Sequence, residues 1–359
     1  MAGLTFAEHG GWSVVLGILL DGGDLSSEQA RDAMAEILDG AASPAQIAAF
    51  VVALRMKGET VVELVGMVEA MLAASTRVEI DTSGPVIDVV GTGGDRAHTI
   101  NVSTISAIVV AGAGGRVCKH GNRAASSACG AADLLEALGV AIELGPEGVA
   151  RCVDEAGIGF CFAPRYHPAM RHAGPSRRDL GIPTAFNILG PLSNPGRVER
   201  YLIGVADRRM AERMAGVLQA NGARRALVVH GGDGLDELTT TGPSDVVELV
   251  DGEVRSWAVR PEALGLTLVD REDLVGGDAN VNADLAHRVL AGEQGAHREI
   301  ILLNAGAGLL AAGLAEGLAA GIDQAAASID SGAAVAALAT LVEVSQREWA
   351  LETRGGQAQ

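Results

Sequence analysis

Residues 88–136 read DVVGTGGDRAHTINVSTISAIVVAGAGGRVCKHGNRAASSACGAADLLE. The stretch holds two small-residue loops, each placed just before a helix-like run. The first is Gly91-Thr92-Gly93-Gly94-Asp95, with Asn101, Ser103 and Thr104 behind it. The second is Lys119-His120-Gly121-Asn122-Arg123, followed by Ser126 and Ser127. Both have the chemistry of an anion cradle: exposed backbone N–H groups, hydroxyl donors, and a lysine and an arginine close by.

Outward from this stretch the chain alternates. Thr82-Ser83-Gly84-Pro85 is a breaker cluster, and 86–90 then reads as a buried strand. The pattern predicts helices over 99–111, 127–138, 146–156 and 208–219, and strands over 116–119, 158–162, 201–205 and 226–230. Such alternation implies a largely parallel sheet flanked by helices. In sheets of this kind ligands sit at the carboxyl ends of the strands. Both glycine loops, and the later Gly231-Gly232-Asp233-Gly234 turn, fall there. Segments 246–250 and 253–259, joined by Asp251-Gly252, read as a β-hairpin. Beyond it the pattern is helical, over 282–291, 300–314, 318–331 and 334–351, with a frayed tail from Arg354.

Upstream, residues 1–75 read as all-helical. An apolar run over 12–20 is ended by Asp21-Gly22-Gly23. Ser26 and Gln29 make a capping box for a helix with Ala30, Ala33, Met34, Ile37 and Leu38 on one face. Ser43-Pro44 starts the next, with Ile47, Phe50, Val51 and Leu54 inward and Gly58 as its stop. Thr60 and Glu63 form another capping box, for a helix through Leu72. The fold expected is therefore α/β: a helical domain over 1–75 and a larger domain over 76–359 with a mostly parallel sheet, the two meeting along a cleft. No reactive constellation lies in 1–75, which reads as packing and subunit contact.

Composition narrows the function. The chain of 359 residues is 48% hydrophobic and only 3% aromatic, with 48 Gly and a net charge of −18. A field of that sign repels nucleic acid and anionic membranes. It also works against an anionic substrate, so a phosphate site here needs a local basic pocket or bound cations. Four cysteines, Cys118, Cys129, Cys152 and Cys161, are too few for a disulfide scaffold. Cys118, His120 and Cys129 match no common zinc spacing, and reduced thiols are expected. The N-terminus lacks the basic and apolar regions of a signal peptide. The apolar stretch 300–321 is broken by Asn304, Glu316 and several glycines, so it reads as a buried helix pair. A cytoplasmic location is expected.

The first loop lacks the third glycine of a dinucleotide fingerprint and the Gly-Lys-Ser/Thr ending of a P-loop. It is compatible with a tight strand-to-helix turn and with an anion site. Asn101, Ser103 and Thr104 suit either an anion or ordinary helix caps. In the second loop Lys119 supplies a point charge and Arg123 a fork for phosphate oxygens. Asp236 and Glu237, in Gly231-Gly232-Asp233-Gly234-Leu235-Asp236-Glu237, suit either a surface turn or a Mg²⁺ held between carboxylates and phosphates. A long Pro-punctuated excursion carries Pro164-Arg165-Tyr166-His167-Pro168, Arg177-Arg178 and residues 184–195. One of its two arginines is a candidate clamp for a second, carboxylated substrate.

Taken together, GTGGD, NVST, KHGNRAASS, the HPAM and FNILGPLSNP segments and GLDELTTTGPS resemble the anthranilate phosphoribosyltransferase family of tryptophan biosynthesis. The resemblance spans nearly the whole chain. It implies a fold similar to that of pyrimidine nucleoside phosphorylases, whose own activity is the nearest alternative. It further implies a homodimer formed through the helical domain, which helices from about 168–192 would complete.

By the same resemblance, phosphoribosyl diphosphate would be bound by Gly91, Gly94, Asp95, Thr99, Asn101, Val102, Ser103 and Thr104. Lys119, His120, Gly121, Asn122, Arg123, Ala124, Ala125, Ser126, Ser127 and Ala131 would continue that site. Ser103, Asp236 and Glu237 would hold Mg²⁺, two ions per subunit. Gly91, Asn122 and Arg177 would meet anthranilate, with His120 and Pro191 near its ring. No nucleophile or general base is implied, and His120 has a positioning role. One stretch departs from the family: Ala128-Cys129-Gly130-Ala131 stands where Lys-Ser-Gly-Ser is more usual, so a basic side chain and hydroxyls are lost.

Overall fold

Short-range signals set the first four helices, Gly11–Leu20, Ser27–Leu38, Pro44–Lys57 and Val61–Ala73. Ser26 with Gln29 and Thr60 with Glu63 close capping boxes, and Ser43 with Gln46 closes a third. Each box satisfies two backbone N–H groups that the first helical turn leaves open. Glu63 does more than cap. Fully buried, its carboxylate accepts from Leu25 N at 2.9 Å and from Lys57 Nζ at 3.0 Å, so it ties three segments together. The computed structural model describes residues 6–8, 10–81, 84–124 and 128–356. Thr82 and Ser83 of the breaker cluster lie outside the described residues, as do Ala125, Ser126 and Ser127 of the second loop.

The larger domain is built on a seven-stranded sheet. Its strands are β1 (Val86–Gly91), β2 (Arg116–Gly121), β3 (Ile158–Phe162), β4 (Arg200–Gly204), β5 (Arg225–Gly231), β6 (Ser244–Val250) and β7 (Glu253–Val259). They lie in the order β3-β2-β1-β4-β5-β6-β7. The strands from β3 to β5 run parallel, and β6 and β7 are antiparallel. The chain builds outward from β1 through β2 to β3, then returns to the other side of β1 with β4. The strand order therefore reverses between β1 and β4, the point at which sheets of this kind bind their ligands. The hairpin turn has φ of 48° at Asp251 and 86° at Gly252, the paired positive values of a type I′ turn.

The helix Ala296–Ala312 is buried almost throughout and packs on Leu318–Asp330. No single helix among the described residues is long and apolar enough to cross a membrane. Several expected boundaries move, and three of them are instructive. The helix expected from Thr99 begins at Val102, because Thr99 bridges Val275 and Ile100 N donates to Leu274 O at 3.1 Å. The helix expected over 127–138 is Ala131–Ala137, started by Gly130 with Asp133 reaching back. The last helix runs Ala333–Gly356, so residues 354–356 continue it instead of fraying.

The excursion folds into Ala163–Tyr166, a 3₁₀ turn Pro168–His172, Gly174–Leu180 and Phe186–Leu192. It leans on the first helices: Gly174–Leu180 packs on Pro44–Lys57, and Phe186–Leu192 touches both Val61–Ala73 and β2. The four cysteines are buried thiols, with Cys118 and Cys161 sulfurs 3.6 Å apart across β2 and β3.

Candidate active site

The carboxyl ends of β1 and β4 both finish in glycine, and Gly91 and Gly204 are register partners. The Asp236-Glu237 turn comes down onto this pair. A Cβ on Gly204 would lie 1.5 Å from the Asp236 carbonyl oxygen, and one on Gly91 would lie 2.3 Å from Asp236 Oδ2. Two absent side chains thus open the gap that the acidic turn fills. Gly93 N donates to Asp236 Oδ2 at 2.6 Å, and Ser103 N donates to Glu237 Oε1 at 3.2 Å. Ser103 stands in the first turn of Val102–Gly112, where free N–H groups favour an anion.

From behind, fully buried Asn304 clamps the turn: its Oδ1 accepts from Leu238 N at 3.0 Å and its Nδ2 donates to Leu238 O at 2.8 Å. Asp233 is a turn former that accepts from the hydroxyls of Thr239 and Thr241, both at 2.8 Å. The first loop is strained, with Arg96 at φ 56° and His98 at φ 54°, conformations that cost non-glycine residues energy.

Two buried carboxylates with Asp95 beside them carry an electrostatic cost. Burial, then Asp95, pushes Asp236 up to about 7; burial, then Asp236, raises Glu237 well above the carboxylate range. Protons or a cation would relieve that cost. Among the described residues no three His, Cys, Asp or Glu side chains gather into a group that could hold a metal ion by themselves. Two carboxylates and a hydroxyl nonetheless suit Mg²⁺, which normally takes one or two protein carboxylates and fills the rest of its shell with water and substrate phosphate.

Lys119 completes this cluster. It is 1% exposed, and its Nζ donates to Val89 O and, at 3.3 Å, to Ser103 Oγ. Burial lowers its pKa, and Asp88, Glu237 and Asp236 oppose that shift. Gly91, Gly93, Ser103, Lys119, Asp236 and Glu237 are thus joined by direct contacts at the reversal point of the sheet.

The rest of the second loop is held from its sides. Buried Asp88 accepts from His120 N at 3.1 Å and from Asn194 Nδ2 at 2.7 Å, and Asn194 Nδ2 also reaches Cys118 O at 2.8 Å. Burial pushes Asp88 up to about 6. The His120 ring donates from Nδ1 to Gly190 O at 3.0 Å, since a carbonyl can only accept. Its Nε2 is buried and without a partner among the described residues. Burial, then His167 at 5.1 Å, pushes His120 down to about 3. It is a neutral imidazole in any ordinary buffer, which suits positioning and not proton delivery.

Arg123, expected to offer its fork to phosphate, has carboxylate partners of its own. Its guanidinium pairs with Asp133 at 2.9 Å and with Glu136, lies 5.5 Å over the Phe162 ring, and is 45% exposed. A phosphate must compete with those carboxylates. Asn122 accepts from Arg123 N at 2.7 Å, and Asp133 accepts from Ala124 N and Gly130 N, closing the loop around Gly121 and Ala131.

Asn101 occupies the cap position but makes no cap bond among the described residues. Its Nδ2 donates to Cys129 O at 3.0 Å and its Oδ1 accepts from Asn282 Nδ2 at 2.9 Å. Cys129 stays a thiol, pushed up to about 11 by burial. Thr104 Oγ1 is buried without a partner among the described residues. Thr99 and Val102 act through backbone: a bridge to Val275 and a bond to Ile100 O at 2.7 Å.

The two arginines of the excursion separate. Arg178 is exposed, while Arg177 is half-buried 5.5 Å over Phe186, and only burial shifts its pKa, downward. No carboxylate among the described residues pairs with it. Gly204, Asn282 and Asn304 are the site residues that the sequence reading missed. Gly204 fell inside the strand expected over 201–205, Asn304 stood as a lone polar residue in an apolar run, and Asn282 opened a helical run with Asn280 and Asp284 as polar neighbours.

Residues 14–75 match the helical bundle domain of a glycosyl transferase family, and residues 83–335 match that family's a/b domain. The chain is 53% identical over 341 residues to anthranilate phosphoribosyltransferase of Salinispora arenicola, covering 93% of this chain and 96% of that protein. It is 51% identical over 350 residues to the enzyme of that name from an Arthrobacter species, covering 96% of each. Among solved structures it superposes on anthranilate phosphoribosyltransferase from Thermus thermophilus with a TM-score of 0.88 and 42% identity, covering 92% of this chain and 99% of the other. The Saccharomyces cerevisiae enzyme, solved in complex with PRPP and Mg, gives a TM-score of 0.85 and 28% identity over 94% and 98% of the two chains.

Proposed function

The chain belongs to the anthranilate phosphoribosyltransferase family, and on that premise we propose which of its residues carry the reaction. The activity moves the 5-phosphoribosyl group from phosphoribosyl diphosphate to the amine of anthranilate and releases diphosphate. The observation that carries the assignment is the buried contact chain Lys119–Ser103–Glu237 beside Asp236, set where the strand order reverses.

We assign the leaving diphosphate to this chain and to the amides of the first loop. Breaking the C1–oxygen bond ahead of amine attack loads negative charge on the leaving group. Lys119, Ser103 and the loop N–H groups are pre-oriented to meet it. Mg²⁺, two ions per subunit, would be held by Ser103, Asp236 and Glu237 and would supply counter-charge to the phosphates. Neutral His120 and Pro191 border the aromatic ring, and Asn122 with Arg177 orients the second substrate so that its amine faces C1. The helical domain, taken as 1–75 with the excursion helices, closes the crevice against water, which would otherwise hydrolyse the activated sugar. It also carries exposed Val14, Leu20 and Met56, apolar surface that a homodimer would bury.

Anthranilate fluorescence is the direct test. It should fall only when phosphoribosyl diphosphate and Mg²⁺ are both present, with no phosphorolysis of thymidine or uridine. Consumption that ignores omission of either component would overturn the reading. Arg177→Ala should raise KM for anthranilate roughly tenfold, the worth of one charge-assisted hydrogen bond, with KM for the donor changed less than about twofold. Equal changes in both constants would remove Arg177 from the acceptor site.

A further inference from the structure

We propose that Asn282, outside every loop assigned above, is the positioning residue that locks the two diphosphate-binding loops to each other. It stands on the helix Ala279–Leu290 and is 1% exposed. Its side chain reads in two directions. Oδ1 accepts from Gly277 N at 2.7 Å, and Nδ2 donates to Asn101 Oδ1 at 2.9 Å. Asn101 passes the link on, donating from Nδ2 to Cys129 O at 3.0 Å. One buried amide relay therefore joins the end of the first loop, the end of the second loop and the segment before its own helix. That segment is itself fastened to the first loop: Gly276 N donates to His98 O at 2.9 Å, and Thr99 bridges Val275. Room for the relay is reserved, since a Cβ on Gly276 would lie 2.4 Å from Asn282 Oδ1.

The relay has a fixed polarity. Gly277 N can only donate and Cys129 O can only accept, so both asparagine amides are oriented by the chain ends they meet. Flipping Asn101 would turn its oxygen on the Cys129 carbonyl. An aspartate at 282 would keep the bond to Gly277 but set carboxylate oxygen against Asn101 Oδ1. No rotation of Asn101 then satisfies both neighbours, and a buried polar group left unpaired is expensive. Asn101 immediately precedes the helix whose first turn presents Ser103 to Glu237. A shift at 282 is thereby delivered to the donor site and not to Arg177.

The inference rests on the functional reading above, and the test separates the two. Binding of Mg-phosphoribosyl diphosphate to the full-length protein is measured by calorimetry without anthranilate, alongside steady-state kinetics and thermal melts. Wild type should bind; if it does not, the functional reading falls and this inference falls with it. Asn282→Ala and Asn282→Asp should each weaken donor binding tenfold or more, with KM for anthranilate within about twofold. Asn282→Asp keeps the Gly277 bond, so it carries the test if Asn282→Ala does not fold. In an Asn101→Ala background, Asn282→Ala should change donor binding less than twofold, because the relay is already cut. Unchanged donor affinity in both single variants, equal loss for both substrates, or additive effects in the double variant would overturn the proposal.

Discussion

Gly204→Ala is expected to lower kcat/KM for the phosphoribosyl donor by at least about a hundredfold, the penalty for displacing catalytic groups by roughly 1 Å. The added methyl would lie 1.5 Å from the Asp236 carbonyl oxygen and 2.4 Å from its carbon. Those are backbone atoms, so no rotamer change relieves the clash, and the acidic turn must move away from β1 and β4. Gly91→Ala is the internal comparison. Its Cβ meets the Asp236 side chain, which can swing aside, so its effect should be the smaller of the two. Steady-state kinetics with circular dichroism on the purified variants decides it. Near-normal turnover by a folded Gly204→Ala protein would mean that the turn is not seated there.

The double substitution Asp236→Ala with Glu237→Ala should cost on the order of a thousandfold in kcat/KM and abolish the response to Mg²⁺. It should not destabilise the metal-free protein at neutral pH. Burial holds Asp236 at about 7 and Glu237 above the ordinary range, so the native state binds more protons than the unfolded chain. These two groups therefore contribute a slope of their own: the stability they add to the metal-free wild type falls as pH rises from the ordinary carboxylate range through about 7. The double variant lacks that slope. A bound divalent ion must displace the same protons, so Mg²⁺ should raise the wild-type Tm more at pH 8 than at pH 6. A double variant that melts with the wild-type pH slope, or that keeps a Mg²⁺-dependent rate, would sink the metal assignment.

What the chain discloses of itself depends on how far apart its partners lie. Ser26 with Gln29, Thr60 with Glu63, and Asp251-Gly252 are local arrangements, and each formed as its residues dictate. The parallel sheet was legible for the same reason, since each strand is a short apolar run between breakers. The start of the helix after the first loop was not. Thr99 and Ile100 read as part of the same helix-like run, yet Val275 and Leu274 capture them from far along the chain.

The site divides in the same way. Glycines, hydroxyls and the acidic pair announced themselves by composition. The groups that aim them did not: Asn304 looked like an interruption in an apolar helix, although it grips the Leu238 backbone from both sides. Arg123 shows the opposite case, a group whose chemistry was legible but whose local partners were not. Its fork suits phosphate, but Asp133 and Glu136 lie one helical turn apart and reach it first.

The hairpin at the margin of the sheet has a consequence for how copies of the chain meet. Among the described residues β7 has β6 as its only strand neighbour, and residues 253–256 are exposed, so its outer rim offers backbone groups to a passing strand. A second molecule adding there in the same direction and register would set Glu253 beside Glu253 and Arg255 beside Arg255, a like-charge pairing that disfavours the join. Arg255 is also drawn back to Glu248 at 2.9 Å, which ties the rim to its own sheet. Parallel, in-register joining of two copies is discouraged at that margin.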